Sequence, residues 1–152
     1  MTIIAQNRKA KFEYEILQEY NAGIVLVGTE IKSLRQGRAN IQDGYVDVDK
    51  NGEAWLYSVN IPVYNMTTNK FNHEPNRKRK LLLQKKELNK LLGSIKEKGL
   101  TIVPLTLYFS NKGFVKIKIA LAKGKKLFDK RQTIKERDWK REKEQIMKKN
   151  AR

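Results

Sequence analysis

The sequence LTIVPLTLYFSNKGFVKIKIAL at residues 100–121 contains two apolar runs joined by the turn-forming residues 110–113. Both runs are rich in β-branched and aromatic side chains, which favour strands. In the second run, apolar residues alternate with Lys116 and Lys118, so one face is suited to a core and the other is cationic. The stretch therefore predicts a long antiparallel hairpin.

More strands are predicted upstream of this hairpin. Residues 12–27 predict a strand, a turn at Asn21-Ala22-Gly23 and a second strand, because alternating apolar residues are followed by an Ile-Val-Leu-Val run. Residues 41–48 and 54–59 predict two more strands. The residues 49–52 between them end in Asn-Gly, a pair typical of tight hairpins.

Two helices are predicted as well. Thr29 is a candidate cap for a short helix that Gly37 ends. Residues 84–98 carry leucines and an isoleucine at helical spacing, and Gly99 follows as a stop signal. Residues 62–76 are predicted to be a loop.

These elements predict a mainly β fold. About six strands are connected by short turns or by one helix, without the strand–helix alternation of a parallel sheet. We expect an antiparallel barrel of the oligonucleotide-binding (OB-fold) type, with two or three flanking helices and a basic C-terminal tail.

Composition excludes several kinds of site. The chain has 152 residues, with 33 Lys and Arg against 16 Asp and Glu, a net charge of +17. It has no Cys and one His, which excludes disulfides, cysteine nucleophiles and any metal site that needs Cys or two His. It has no apolar run of membrane-spanning length and no signal-peptide pattern, so we expect a cytosolic protein. The charge points to a polyanionic partner, with nucleic acid ahead of an anionic membrane surface.

The positive charge is concentrated near the C-terminus. Residues 1–121 carry 20 basic and 11 acidic side chains, whereas residues 122–152 carry 13 and 5. The last segment also has few apolar residues. We therefore divide the chain into a folded domain at 1–122 and a basic tail at 123–152, which we expect to be disordered alone and helical on a partner.

Few residues suggest catalysis. Asp43, Asp47, Asp49 and Glu53 lie in one predicted hairpin. Asp47 and Asp49 share a strand face, which fits either a divalent-metal site or a solvated edge strand. His73 has no neighbouring nucleophile, and we expect it to contact RNA or solvent. Basic clusters at 77–80 and 123–126 fit phosphate binding or a solubilising surface, and aromatic residues in the tail fit base stacking or docking on the domain.

An ordered set of short motifs gives the chain a specific resemblance. The motifs are NRKA (7–10), AGI (22–24), GTEIKSLR (28–35), GRAN (37–40), FNHEP (71–75), RKLLL (79–83), EKGLT (97–101), AKGKK (122–126) and DKR (129–131). In this order they resemble the SsrA-binding protein family, also called small protein B, from about residue 6 to residue 149.

The resemblance implies an RNA-binding adaptor. Members have an OB-like fold, bind the tRNA-like domain of transfer-messenger RNA (SsrA) and deliver it to stalled bacterial ribosomes for trans-translation. The tail lies in the small-subunit decoding centre and messenger channel. The resemblance implies no catalysis, cofactor, metal or membrane, and we expect a cytoplasmic monomer.

The resemblance also assigns residues. Those implied for RNA binding are Asn7, Lys9, Glu30, Lys32, Ser33, Arg35, Asn40, Arg79, Lys80, Lys123, Lys125 and Lys126. Those implied for the decoding centre and messenger channel are Phe128, Asp129, Lys130, Arg131, Lys135, Arg137, Trp139, Ile146 and Met147. The sequence departs from the family at Asn21, usually acidic, and at Phe12, often His.

Three alternative functions remain open on the sequence. A constitutive ribosomal protein would share the charge and the tail. A nuclease would use the three aspartates named above. An anionic-membrane binder would need a broader apolar face than the tail offers.

Overall fold

The computed structural model describes residues 1–97, 99–125, 137 and 139–141. The elements are β1 (Thr2–Gln6), α1 (Lys9–Glu13), β2 (Tyr14–Ile24), α2 (Gly28–Arg35), β3 (Tyr45–Val48), β4 (Ala54–Tyr57), a 3₁₀ turn (Asn69–Phe71), β5 (Arg79–Leu82), α3 (Lys85–Ile95), β6 (Leu100–Phe109) and β7 (Val115–Gly124).

The seven strands form one antiparallel sheet in the order β1-β6-β3-β4-β5-β2-β7. Strand β6 also pairs with β7, so the pairings from β2 to β7 form a closed ring. The mainly β, antiparallel prediction is confirmed. The sheet has seven strands rather than about six.

The predicted hairpin of β6 and β7 is confirmed, and both of its faces are used. Ile102, Leu107, Ile117 and Ile119 are fully buried in the main core. The opposite face of β7 begins with Lys116 and Lys118 and then continues with small residues. Ala120 and Ala122 form a second buried cluster with Ala10 of α1, so their small size lets this helix cover one end of the strand.

The predicted turn at Asn21-Ala22-Gly23 is wrong, because β2 is one continuous strand. These residues pair with Lys118, Ile117 and Lys116 of β7, and Ala22 is completely buried. A register shift between Ile16 and Gln18 supplies an irregularity in β2 instead. The long partner strand therefore overrides a local turn signal.

Strands β1 and β5 were absent from the prediction. Strand β1 is held by pairing to β6, and β5 lies between β4 and β2. The cations at residues 77–80 obscured β5, although Arg79 and Leu81 share its buried face. Both strands are stabilised by pairing with strands distant in the sequence, which their local composition does not indicate.

The shorter elements are partly as predicted. Strands β3 and β4 occupy only part of the predicted 41–48 and 54–59, and Gly52 closes their turn at a φ of +77°. Helix α3 lies within the predicted 84–98. Helix α2 begins after Val27, so Thr29 belongs to its first turn and is not its cap.

Among the residues that the structure describes, no helix is both long and apolar enough to cross a membrane. Of the tail assigned to 123–152, residues 123 and 124 belong to β7, and Arg137 and residues 139–141 are helical and exposed. The predicted disorder of the free tail otherwise concerns residues outside the described part.

Candidate nucleic-acid interface

The first side of the candidate interface is organised by a buried carboxylate. Glu30 of α2 is fully buried and accepts a hydrogen bond of 2.9 Å from the backbone amide of Val27 at the start of the helix. It also forms ion pairs with Arg77 and Arg79. A carboxylate here suits the positive end of the helix dipole, and the two guanidinium groups compensate its burial.

Arg79 is part of the fold rather than of the surface. Its Nε donates to Glu30 at 2.5 Å, Nη1 donates to the Val59 carbonyl at 2.8 Å, and Nη2 donates to the Pro75 carbonyl at 2.9 Å. The residue is completely buried. Its guanidinium therefore ties α2 to the segment after β4 and to the loop before β5.

Burial by itself raises the pKa of Glu30, but hydrogen bonds from Arg77, the Val27 amide and Arg79 outweigh it. The pKa of Glu30 is consequently below its ordinary value. Burial also lowers the pKa of Arg79, and its contact with Glu30 opposes that change. The geometry favours a charged pair.

The rest of α2 divides between support and surface. Ser33 is buried and donates through Oγ to the Pro62 carbonyl at 2.7 Å. Lys32 and Arg35 are exposed. The helix therefore docks on the 62–76 loop and presents two cations outward.

His73 fixes the same loop. Its Nδ1 lies 2.8 Å from Thr29 Oγ1 and its Nε2 lies 2.7 Å from the Ile61 carbonyl oxygen. The ring is buried, with 8% exposure. The expectation of a solvent contact is wrong, because the ring is buried and both ring nitrogens serve the fold.

A second side of the interface lies around α1 and β7. Asn7 is buried, and its Nδ2 donates to the Pro104 carbonyl at 2.9 Å. Its Oδ1 is buried without a hydrogen-bond partner in the described part of the chain. Lys9 begins α1 and is exposed.

The end of β7 extends this basic region. Lys123 is exposed and lies in β7 itself. Lys125 is half-buried, and its Nζ donates to the Lys11 carbonyl at 2.9 Å while its backbone amide bonds the Glu13 carbonyl. Residues 123–125 were assigned to the start of the tail from the sequence. They instead continue from the sheet and contact α1.

Two predicted residues lie apart from both of these regions, one in β5 and one outside the named strands. Lys80 is half-buried and its Nζ lies 3.2 Å from Glu53. Asn40 is exposed and forms an isolated bridge with Asn60. Among the described residues predicted to bind RNA, Lys80 and Asn40 therefore lie on neither α1 nor α2.

Of the aspartates proposed for a nuclease, Asp47 and Asp49 belong to the β3–β4 hairpin and Asp43 lies in the turn before β3. Asp49 accepts backbone hydrogen bonds from Asn51 and Glu53 and one from Trp55 Nε1 at 2.8 Å. Among the residues described, no group of three or more His, Asp or Glu is placed to hold a metal ion. Asp49 is therefore accounted for by the hairpin.

Several predicted residues lie outside the described part of the chain. They are Lys126, Phe128, Asp129, Lys130, Arg131, Lys135, Ile146 and Met147. Arg137 and Trp139 are described and exposed.

Sequence reasoning missed individual contacts around the interface. Arg77 was part of a basic cluster, but its link to Glu30 depends on a separation of 47 residues. Arg8, Lys11 and Lys118 line a cleft beside Asn7 and were not among the predicted RNA-binding residues. The alternation of β5, with Arg79 and Leu81 on one face, is the signal that could have separated buried from exposed cations.

The comparisons with known proteins agree with the resemblance. The family model described as SmpB protein matches residues 4–149. An SsrA-binding protein of Wolbachia sp. subsp. Drosophila simulans (strain wRi) is 57% identical, with 99% of each chain covered. One from Agrobacterium fabrum is 54% identical, with 98% of this chain and 92% of the relative covered.

A solved chain described as "tmRNA-SmpB: a journey to the center of the bacterial ribosome" has the same fold. The TM-score is 0.68 at 46% sequence identity, with 81% of this chain and 85% of that chain covered. Sequence and fold thus agree over most of the chain, which belongs to the SmpB protein family.

Proposed function

We propose that the chain is an RNA-binding adaptor of ribosome rescue. It binds the tRNA-like domain of transfer-messenger RNA (SsrA) and delivers this RNA to stalled ribosomes, where trans-translation tags the incomplete peptide. The observation that carries the proposal is 57% identity over 99% of the chain to an SsrA-binding protein. The fold neighbour, whose description names tmRNA and the bacterial ribosome, supports the same partners.

The proposed RNA-binding residues have two roles. Exposed or partly exposed cations contact phosphates and set the salt-dependent part of affinity; these are Lys9, Lys32, Arg35, Lys80, Lys123 and Lys125. Lys126, outside the described residues, is given the same role on the sequence alone. Buried polar residues position the surface instead; these are Asn7, Glu30, Ser33 and Arg79. The burial of the second group supports this division.

The tail supplies the ribosomal contacts in this proposal. Residues 123–152 carry 13 basic and 5 acidic side chains, which suits a segment lying along ribosomal RNA. Phe128, Asp129, Lys130 and Arg131 would occupy the decoding centre, and Ile146 and Met147 the messenger channel. The adaptor acts in the bacterial cytoplasm by binding and positioning, without catalysis or a cofactor.

A reconstituted translation system tests the proposal. Ribosomes stalled on a messenger without a stop codon are supplied with transfer-messenger RNA and either the full chain or a chain ending at Leu127. We expect the full chain to support peptide tagging and the shortened chain to retain RNA binding without tagging. Tagging by the shortened chain contradicts the role given to the tail.

A sedimentation control separates the proposed adaptor from a constitutive ribosomal protein. Association of the full chain with stalled ribosomes is measured with and without transfer-messenger RNA. The adaptor requires the RNA for stoichiometric association, whereas a ribosomal protein sediments equally in both cases.

A further inference from the structure

A cleft of about 540 Å³ lies between the start of α2 and the 62–76 loop. Thr29 and Lys32 line it on the helix side, and Thr67, Phe71 and Arg77 line it on the loop side. Its size suits a group smaller than an RNA helix. Phe71 and Arg77 are outside the set of RNA-binding residues that the resemblance implied.

The charge of this cleft suits an anion. Lys32 and Arg77 contribute two positive charges, and none of the described residues that line the cleft is acidic. A cleft of about 380 Å³ beside α1 provides a comparison, because its described lining contains Glu13 and Asp43 and no Lys or Arg. A phosphate is therefore better placed at the first cleft.

Arg77 is held in place before any ligand arrives. Its Nε lies 3.2 Å from each carboxylate oxygen of Glu30, and Nη2 also contacts this carboxylate. The side chain nevertheless remains 30% exposed. A guanidinium fixed by a buried carboxylate loses little further freedom on binding a phosphate.

Phe71 gives the cleft an exposed aromatic wall. Its side chain is 70% exposed, and Lys70 Nζ lies 5.8 Å from the ring centroid. Its exposed aromatic surface is suited to stacking on a nucleobase, because every base offers a π-face, and Lys70 over the ring adds a positive charge nearby.

We propose that this cleft holds one unpaired nucleotide of the bound RNA. Lys32 and Arg77 contact its phosphate, and its base stacks on Phe71. The proposal rests on the proposed function only in taking RNA as the ligand. It adds a contact to single-stranded nucleotides that is independent of transfer-messenger RNA.

The test uses an eight-nucleotide single-stranded RNA and the same backbone without bases, titrated with the full chain. Phe71→Ala is expected to weaken binding of the octamer about tenfold. Phe71→Tyr is expected to bind within about twofold of the parent chain, because it keeps the aromatic face. Phe114→Ala is the matched control, since Phe114 is 66% exposed on the β6–β7 turn.

The base-free backbone separates stacking from charge. The loss caused by Phe71→Ala is expected to disappear on this RNA, because it offers no base. Lys32→Gln is expected to reduce the log–log salt slope for the octamer by about 0.7, the value for one phosphate on a single strand. Lys112→Gln serves as its control on the β6–β7 turn.

Three results overturn the proposal. They are failure of the full chain to bind the octamer, equal effects of Phe71→Ala and Phe114→Ala, and an undiminished Phe71→Ala loss on the base-free backbone. Because the octamer contains no tRNA-like structure, these results are independent of preference for transfer-messenger RNA. If the chain shows no preference for transfer-messenger RNA but the octamer results are as expected, the proposed function is refuted and the nucleotide-binding cleft is not.

Discussion

Glu30 and Arg79 show how a charged residue can serve a binding surface from inside the fold. Both side chains are fully buried, and together they connect α2, the segment after β4 and the loop before β5. Sequence motifs placed both residues among the RNA-binding set. The local pattern could not reveal their burial, because it depends on residues 49 positions apart.

The buried pair gives the first prediction. Glu30→Gln leaves the Arg79 guanidinium buried without its counter-charge, so we expect a loss of about 3–5 kcal/mol in the free energy of unfolding at pH 7. Glu53→Gln breaks the partly exposed pair with Lys80 and should lose less than about 1 kcal/mol. Urea denaturation measures both, and equal losses would refute the special role of the buried pair.

The pH dependence of stability follows from the same group. The pKa of Glu30 is lower in the folded chain than its value of about 4.3 in an unfolded chain. The contribution of Glu30 to the free energy of unfolding is therefore fully present above that unfolded value, and it is lost as the pH falls through the folded pKa. We expect the urea midpoint of the parent chain to fall between pH 5 and pH 3.

Glu30→Gln should make that fall smaller without abolishing it. Hydrogen bonds from the backbone amide of Glu53 and from the Trp55 indole also lower the pKa of Asp49, so part of the acid sensitivity remains. An unchanged difference between pH 5 and pH 3 in the variant would contradict the assignment to Glu30.

Ser58 gives a third prediction at this scale. It has a φ of +60° just after β4, a region that costs most residues about 1 kcal/mol or more and glycine very little. Ser58→Gly should therefore raise the free energy of unfolding by up to about 1 kcal/mol. Ser94→Gly inside α3 should lower it by about 0.5–1 kcal/mol, and a loss of stability in Ser58→Gly would contradict the expectation.

At the scale of elements, the helices and strands that depend on local interactions were predictable from the sequence, and those that depend on distant residues were not. The β6–β7 hairpin and α3 were predictable because periodicity and turn residues act locally. The single β2 strand was not, because β7 pairs through the supposed turn at Asn21-Ala22-Gly23. Strand β5 was not predicted because its two adjacent cations, Arg79 and Lys80, lie on opposite faces of the sheet and conceal the apolar alternation.

The end of β7 yields a prediction that distinguishes strand from tail. A chain ending at Ala122 loses Lys123 and Gly124 of β7, together with the Lys125 bonds to Lys11 and Glu13. We expect it to be less stable to urea and weaker in RNA binding than a chain ending at Leu127. The chain ending at Leu127, which keeps residues 123–125, should match the full chain in stability.

Equal stability of the two truncated chains would contradict this structural role for residues 123–125. Equal RNA binding would contradict the role of their cations. The two measurements therefore separate packing against α1 from phosphate contact.

At the scale of the whole molecule, a closed ring of strands belongs to a chain with a net charge of +17, of which residues 122–152 contribute +8. Exposed cations occur on α2, on α1 and at the end of β7. Composition predicted the polyanionic partner, and the ordered motifs predicted the family. The arrangement of supporting and exposed residues required the fold.

The measurement that tests the central claim most directly is a side-by-side titration with the tRNA-like domain of transfer-messenger RNA and an ordinary transfer RNA. It is performed at two salt concentrations with the full chain. We predict clear preference for the tRNA-like domain that persists at the higher salt, because shape as well as phosphate contact determines binding. Equal binding of both RNAs that collapses with salt would contradict the account and leave a generic polycation.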